Sequence, residues 1–91
     1  MNNESYLNIQ VIEVRPLDNY KLWCRLSTGE TKIWDVSPYL ELPIFQPLKN
    51  ISMFNNVIID CGGLRWDEID LDVGVSGIVV DGVNCNDLYQ E

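Results

Sequence analysis

Ninety-one residues, 46% of them hydrophobic and 10% aromatic, make one globular domain of modest stability and exclude a disordered tail. Fourteen acidic residues against six basic ones leave a formal net charge of −8, which disfavours generic duplex binding, where several cations must neutralise phosphates. No apolar run approaches the roughly 20 residues of a membrane helix, and Met1-Asn2-Asn3-Glu4-Ser5 has neither the basic nor the apolar part of a signal peptide, so a cytoplasmic chain is expected.

The charge is unevenly placed. Residues 1–56 hold six acids and five bases, whereas residues 57–91 hold eight acids and only Arg65. Cys24, Cys61 and Cys85 are far apart and odd in number, which fits reduced thiols better than a disulfide framework.

Residues 1–91 read as a single domain, with residues 1–8 as a disordered N-terminal segment. From Ile9 to Arg15 the chain is β-rich, and Pro16-Leu17-Asp18-Asn19 supplies turn residues. Tyr20 to Leu26 alternates, with Tyr20, Leu22, Cys24 and Leu26 facing one way and Lys21, Trp23 and Arg25 the other. Thr28-Gly29 is a two-residue hairpin turn in this reading, and Thr31 to Val36 returns as the third strand of an antiparallel meander.

Asp35-Val36-Ser37-Pro38 starts a short helix, with Ser37 as cap and Pro38 at its first position. Pro43 ends it. An irregular stretch follows, with Phe45 plugging the core, and Asn50 to Phe54 forms a second helical turn. Val57 to Trp66 is a hairpin about Gly62-Gly63, pairing Cys61 with Leu64, Asp60 with Arg65 and Ile59 with Trp66. That register buries Val57, Ile59, Cys61, Leu64 and Trp66 on one face. Beyond it come an acidic run, Asp67 to Asp72, a glycine-punctuated apolar stretch, Val73 to Val80, and a closing turn over Asn84 to Tyr89. The expected fold is α+β: an antiparallel three-stranded β-meander, short helices, and a second β-hairpin sharing one core.

The order of these signals resembles a known family. Val14-Arg15-Pro16-Leu17-Asp18-Asn19-Tyr20-Lys21-Leu22, Thr28-Gly29-Glu30, Trp34-Asp35-Val36-Ser37-Pro38-Tyr39-Leu40 and Phe45-Gln46-Pro47-Leu48 with Phe54 carry the first part. Gly62-Gly63-Leu64-Arg65-Trp66, Ile69-Asp70-Leu71 and Asp87-Leu88-Tyr89 carry the rest. Together they are similar to the bacterial domain-of-unknown-function family 2442. The resemblance implies a small α+β domain. Some relatives bear a downstream helix-turn-helix domain, and others stand alone beside another small gene product, as in toxin–antitoxin or regulatory pairs; the stand-alone form is the one expected here. Two departures stand out: residues 73–86 form a longer link than the family's, and Asp67 follows Trp66 where the family has proline. The family supplies no catalytic or binding residues to carry over.

Catalysis has little to work with. The sequence has no histidine, no phosphate loop, no dinucleotide fingerprint and no nucleophile elbow, so the expectation is a chain that is not an enzyme and takes no cofactor or metal. Asp67, Glu68, Asp70 and Asp72 form a candidate acidic surface, but an EF-hand begun at Asp70 fails at Val75, where glycine is needed. An ordinary solvated face is the simpler reading. Cys24 and Cys61 read as small core hydrophobes, and Cys85 is the candidate reactive thiol.

The most informative constellation is Lys21, Trp23 and Arg25 on one strand with Lys32 and Trp34 on the next. A two-residue turn at Thr28-Gly29 sets Trp23 across from Trp34 and Arg25 across from Lys32, giving a basic, aromatic face that two cations keep wet. Its plainest role is cationic stems lying over indole rings; its functional role is a contact surface for another protein, such as a neighbouring small gene product or a second copy. The chain is therefore expected to be an interaction module, regulatory or antitoxin-like. The alternatives are a single-stranded nucleic-acid binder using Trp23 and Trp34, which the net charge disfavours, and a small enzyme of unrecognised mechanism.

Overall fold

The computed structural model of the chain describes residues 9–84. Strands β1 (Val11–Leu17), β2 (Lys21–Leu26) and β3 (Thr31–Asp35) form the expected meander, and a later two-residue strand, β7 (Val83–Asn84), pairs with β3 to make a four-stranded antiparallel sheet. The β1–β2 turn begins later than composition suggests. Pro16 and Leu17 stay in the strand, and Asp18, Asn19 and Tyr20 make the turn, with Asn19 and Tyr20 both at positive φ. Tyr20 is thus a turn residue, not the first residue of β2. β1 is an edge strand: it carries Pro16, and its Val11 N–H is given to the Gly62 carbonyl at 2.8 Å.

The β2–β3 loop is one residue longer than expected, and that changes the faces. Leu26 donates its N–H to the Glu30 carbonyl and accepts from the Gly29 N–H, so Ser27, Thr28 and Gly29 form a three-residue loop. Gly29 sits at φ 95°, the left-handed position such a loop places on glycine. The observed register pairs Leu22 with Trp34, Trp23 with Ile33, Cys24 with Lys32 and Arg25 with Thr31. A slip of one residue sends every side chain of a strand to the other face. Trp34 therefore joins the core with Leu22, and the expected pairing of Trp23 with Trp34 is corrected.

Short helical pieces cover the core side. Ser37 does not cap the turn Ser37–Glu41: Val36 stands at the N-cap with no side-chain cap bond, and the Asp35 carboxylate accepts the Ser37 backbone N–H at 3.0 Å and the Ser37 hydroxyl at 2.7 Å. A further 3-10 turn, Pro43–Lys49, replaces the expected irregular stretch and half-buries Phe45 against Tyr39, ring centroids 5.5 Å apart. Helix α1 (Ile51–Phe54) follows as expected, capped by the Asn50 side chain, which accepts the N–H groups of Ser52 and Met53.

The second sheet holds β4 (Ile58–Asp60), β5 (Gly63–Trp66) and β6 (Leu71–Val73), antiparallel in that order. Its first turn is Cys61-Gly62, not Gly62-Gly63. Both turn residues have positive φ, 52° and 79°, the requirement of a type I′ hairpin turn. The register becomes Asp60 with Gly63, Ile59 with Leu64 and Ile58 with Arg65. This is a shift of two residues from the expected pairing, so faces are kept while partners change. Val57, Leu64 and Trp66 are buried as expected, but Ile59 remains 38% exposed and Cys61, carried into the turn, is exposed. Helix α2 (Val75–Asp81) then crosses to β3 and delivers β7. No helix among the described residues is long and apolar enough to cross a membrane. The closing turn expected over Asn84 to Tyr89, and Cys85, lie outside the described residues except for Asn84 itself.

One core joins the two sheets, through Leu22, Leu26, Trp34, Phe54, Leu64 and Trp66 among others. Trp66 is fully buried and donates its indole N–H to the Phe54 carbonyl at 2.9 Å. Phe54 lies 6.3 Å from the Trp66 ring and 5.3 Å from Tyr20, which stands edge-on to it. Replacing Trp66 or Trp34 with Ala should each cost roughly 3–5 kcal/mol, the range for large core truncations. Replacing half-buried Trp23 should cost about 1 kcal/mol, as is typical of a surface-proximal change. Urea denaturation midpoints at constant slope measure this, and a Trp23 cost equal to that of Trp66 would show the faces to be wrongly assigned.

Candidate interaction surface

The outer face of the four-stranded sheet turns away from the core. The paired residues Arg15, Trp23, Ile33 and Val83 form one row across all four strands, and Glu13, Arg25 and Thr31 form the next. A bulge in β1 between Val11 and Glu13 lets Val11 face the core while Glu13 stays outward, and leaves Ile12 54% exposed.

Three charges and one ring interlock here. The Arg15 guanidinium lies 5.1 Å from the Trp23 ring centroid and that of Arg25 lies 5.2 Å from it, so the indole is flanked by two cations. Glu13 links them: Arg15 donates through Nε and Nη2 at 3.1 and 2.7 Å, and Arg25 through Nε at 3.3 Å. The two guanidinium groups, Arg15 first, hold the Glu13 carboxyl below the usual glutamate range. A depressed folded-state value means that the stabilisation is present above the unfolded value and is lost as pH falls through the folded one. The group is solvated, so the effect on stability is small.

Of the five residues expected on one basic, aromatic face, the structure keeps Lys21, Trp23 and Arg25 together and sends Lys32 and Trp34 to the other side. Lys32 is half-buried near Gly82, and Trp34 packs on Tyr39 at 5.5 Å between ring centroids. Glu13 and Arg15 are the members of this face that sequence reading missed. Their i, i+2 spacing was visible, but their partners depend on where the β1–β2 turn begins.

The acidic surface has a different organisation from the solvated strand face expected of it. Asp67 to Ile69 form a 3-10 turn, Asp70 follows in the left-handed region, and only then does β6 begin. Arg65, across from Asp72 rather than Asp60, gathers three of the carboxylates: Asp67 at 2.6 Å, Asp70 at 2.5 Å and Asp72 at 2.9 Å. Asp70, then Asp67 and Asp72, raise the Arg65 pKa further, in a group already fully charged. Glu68 accepts from the Asn56 amide instead. A guanidinium thus occupies the place where a cation would sit, and among the described residues no three His, Cys, Asp or Glu side chains are grouped to hold a metal.

A shallow concavity of about 270 Å³ lies at the β4–β5 turn, lined by Asp60, Cys61, Leu64, Asp72 and Val75 among others. Among the described residues, no basic group lines it. Cys24 is buried, and desolvation pushes its thiol up to about 12. In a Cys85→Ser background, Ellman's reagent should label one thiol of the native chain, Cys61, and reach Cys24 only on unfolding; two thiols reacting at once would place Cys24 at the surface. The Glu13 carboxyl carbon, followed by NMR, should titrate below an ordinary glutamate. Arg15→Gln should raise its pKa more than Arg25→Gln does, and no change in either variant would remove the ion triad.

Comparison with curated proteins and with solved structures finds no match. A family model matches residues 11–82, from the first residue of β1 through α2. The chain belongs to the family of that model, described as "Protein of unknown function (DUF2442)".

Proposed function

We propose that the chain is a non-enzymatic interaction module that docks another protein on the outer face of its four-stranded sheet. The observation that carries this reading is Trp23, half-buried and flanked by Arg15 and Arg25, with the 52%-exposed Val83 beyond the buried Ile33 in the same row. Tryptophan and arginine are the residues most often found at the energetic centre of protein interfaces. Here each cation holds the ring in place before any partner arrives, which lowers the ordering cost of docking. An accessory role in the cytoplasm, regulatory or antitoxin-like, suits a chain that acts by contact and whose sequence lacks the common catalytic motifs.

Single-stranded nucleic acid is the weaker reading. It needs successive stacking rings, and Trp34 is 3% exposed, which leaves one indole on the face.

The test is affinity capture from the native cell with three baits of matched melting temperature: the unchanged chain, Trp23→Ser, and Ile51→Ser on the exposed side of α1. A protein recovered by the first and third baits but reduced about tenfold or more by Trp23→Ser is the expected result, the scale of a hot-spot loss. Equal recovery with all three would move the contact elsewhere on the molecule.

A further inference from the structure

The two guanidinium groups beside Trp23 are unequally engaged. Arg15 gives Nε and Nη2 to one Glu13 oxygen, whereas Arg25 gives only Nε, to the other. Among the described residues, Arg25 Nη1 and Nη2 meet no acceptor, and neither does the Trp23 indole N–H. The Arg25 side chain is 42% exposed, and its guanidinium is oriented by the ring. A planar pair of parallel N–H donors fixed on an aromatic surface matches the two oxygens of a carboxylate.

We propose that this face receives an aspartate or glutamate of a second, different protein, gripped by Arg25 Nη1 and Nη2 beside Trp23, with apolar neighbours of that acid lying toward Val83. The proposal rests on the docking reading above and names its partner's chemistry. Charge supports it. The outward positions of β1 to β3 hold three cations, Arg15, Lys21 and Arg25, against two carboxylates, Glu13 and Asp35, on a chain of net charge −8. Here an approaching carboxylate meets a local excess of cations, whereas Arg65 is already occupied by three aspartates. A second copy fits less well. Its densest carboxylates are those same aspartates, and a twofold contact of this face with itself would set Arg25 against Arg25.

Selection of displayed random peptides on the full chain, followed by titration of the enriched peptides, tests this. Enriched sequences should share an Asp or Glu beside apolar residues. Arg25→Gln should weaken them about tenfold or more, and Arg25→Lys, which keeps the charge but loses the fork, nearly as much. Glu13→Gln removes the competing carboxylate and should tighten binding severalfold, a gain that misfolding cannot produce. If the selected peptides lack acids, or Arg25→Gln leaves them unchanged while Trp23→Ser abolishes binding, the docking face stands and the carboxylate partner falls. If both variants bind as the unchanged chain does, the face itself is wrong and the inference falls with it. Oligo-dT, or a second copy seen by equilibrium sedimentation, engaging Arg25 more tightly than any acidic peptide would overturn the choice of partner.

Discussion

The hydrogen bond from the Trp66 indole N–H to the Phe54 carbonyl is the constraint on which the arrangement of the two sheets rests. A buried indole nitrogen is costly without an acceptor, and the last carbonyls of a helix lack intrahelical donors. Each group satisfies the other inside the core, where an unmade bond costs most. Helix α1 is only four residues long and has no stability of its own. Asn50 caps its start, Trp66 from the second sheet occupies its end, and Tyr20 from the β1–β2 turn packs edge-on against Phe54. One helical turn thereby fixes the position of both sheets. Trp34 shows the contrast: among the described residues its buried indole N–H has no hydrogen-bond partner, while the hydroxyl of the neighbouring Tyr39 donates to Asp81.

Much of the fold was legible because its apolar pattern is regular, and the errors trace to turn lengths. Alternation from Tyr20 to Leu26 assigned the faces of β2 correctly from Lys21 onward and failed only at Tyr20, which belongs to the turn. All three hairpin turns were misplaced, and the two that moved the register had unequal consequences. At Cys61-Gly62 the register moved by two residues, so Val57, Leu64 and Trp66 kept their inward face. At Ser27–Gly29 it moved by one, and Trp34 exchanged solvent for core. Nothing local distinguishes a Thr-Gly turn of two residues from a Ser-Thr-Gly loop of three, because Gly29 suits both. The candidate surface inherits that ambiguity: the members on one strand were found together, and those across strands were not.

The two charged clusters invert one another. On the outer face one carboxylate is shared by two guanidinium groups; at the end of β5 one guanidinium is shared by three carboxylates. Each cluster lies on a strand and its turn-linked neighbours, so local chain geometry sets the stoichiometry. The second consumes the chain's richest acidic segment internally. The first leaves donors over. A chain of net charge −8 thus presents a small cationic and aromatic region whose chemistry its overall composition conceals.

The closed border of β1 decides how this sheet can meet other molecules. Many small β proteins recruit partners by lengthening a sheet, adding a foreign strand to an unpaired margin. Here one end of that margin is occupied by the Gly62 carbonyl, and further along Pro16 has no N–H to offer. The same features guard against runaway edge-to-edge stacking in a crowded cell. With backbone recruitment discouraged along its longest strand, this margin leaves side chains rather than the hydrogen-bond ladder as what the sheet offers to another molecule, and side chains can be exchanged without disturbing the ladder beneath.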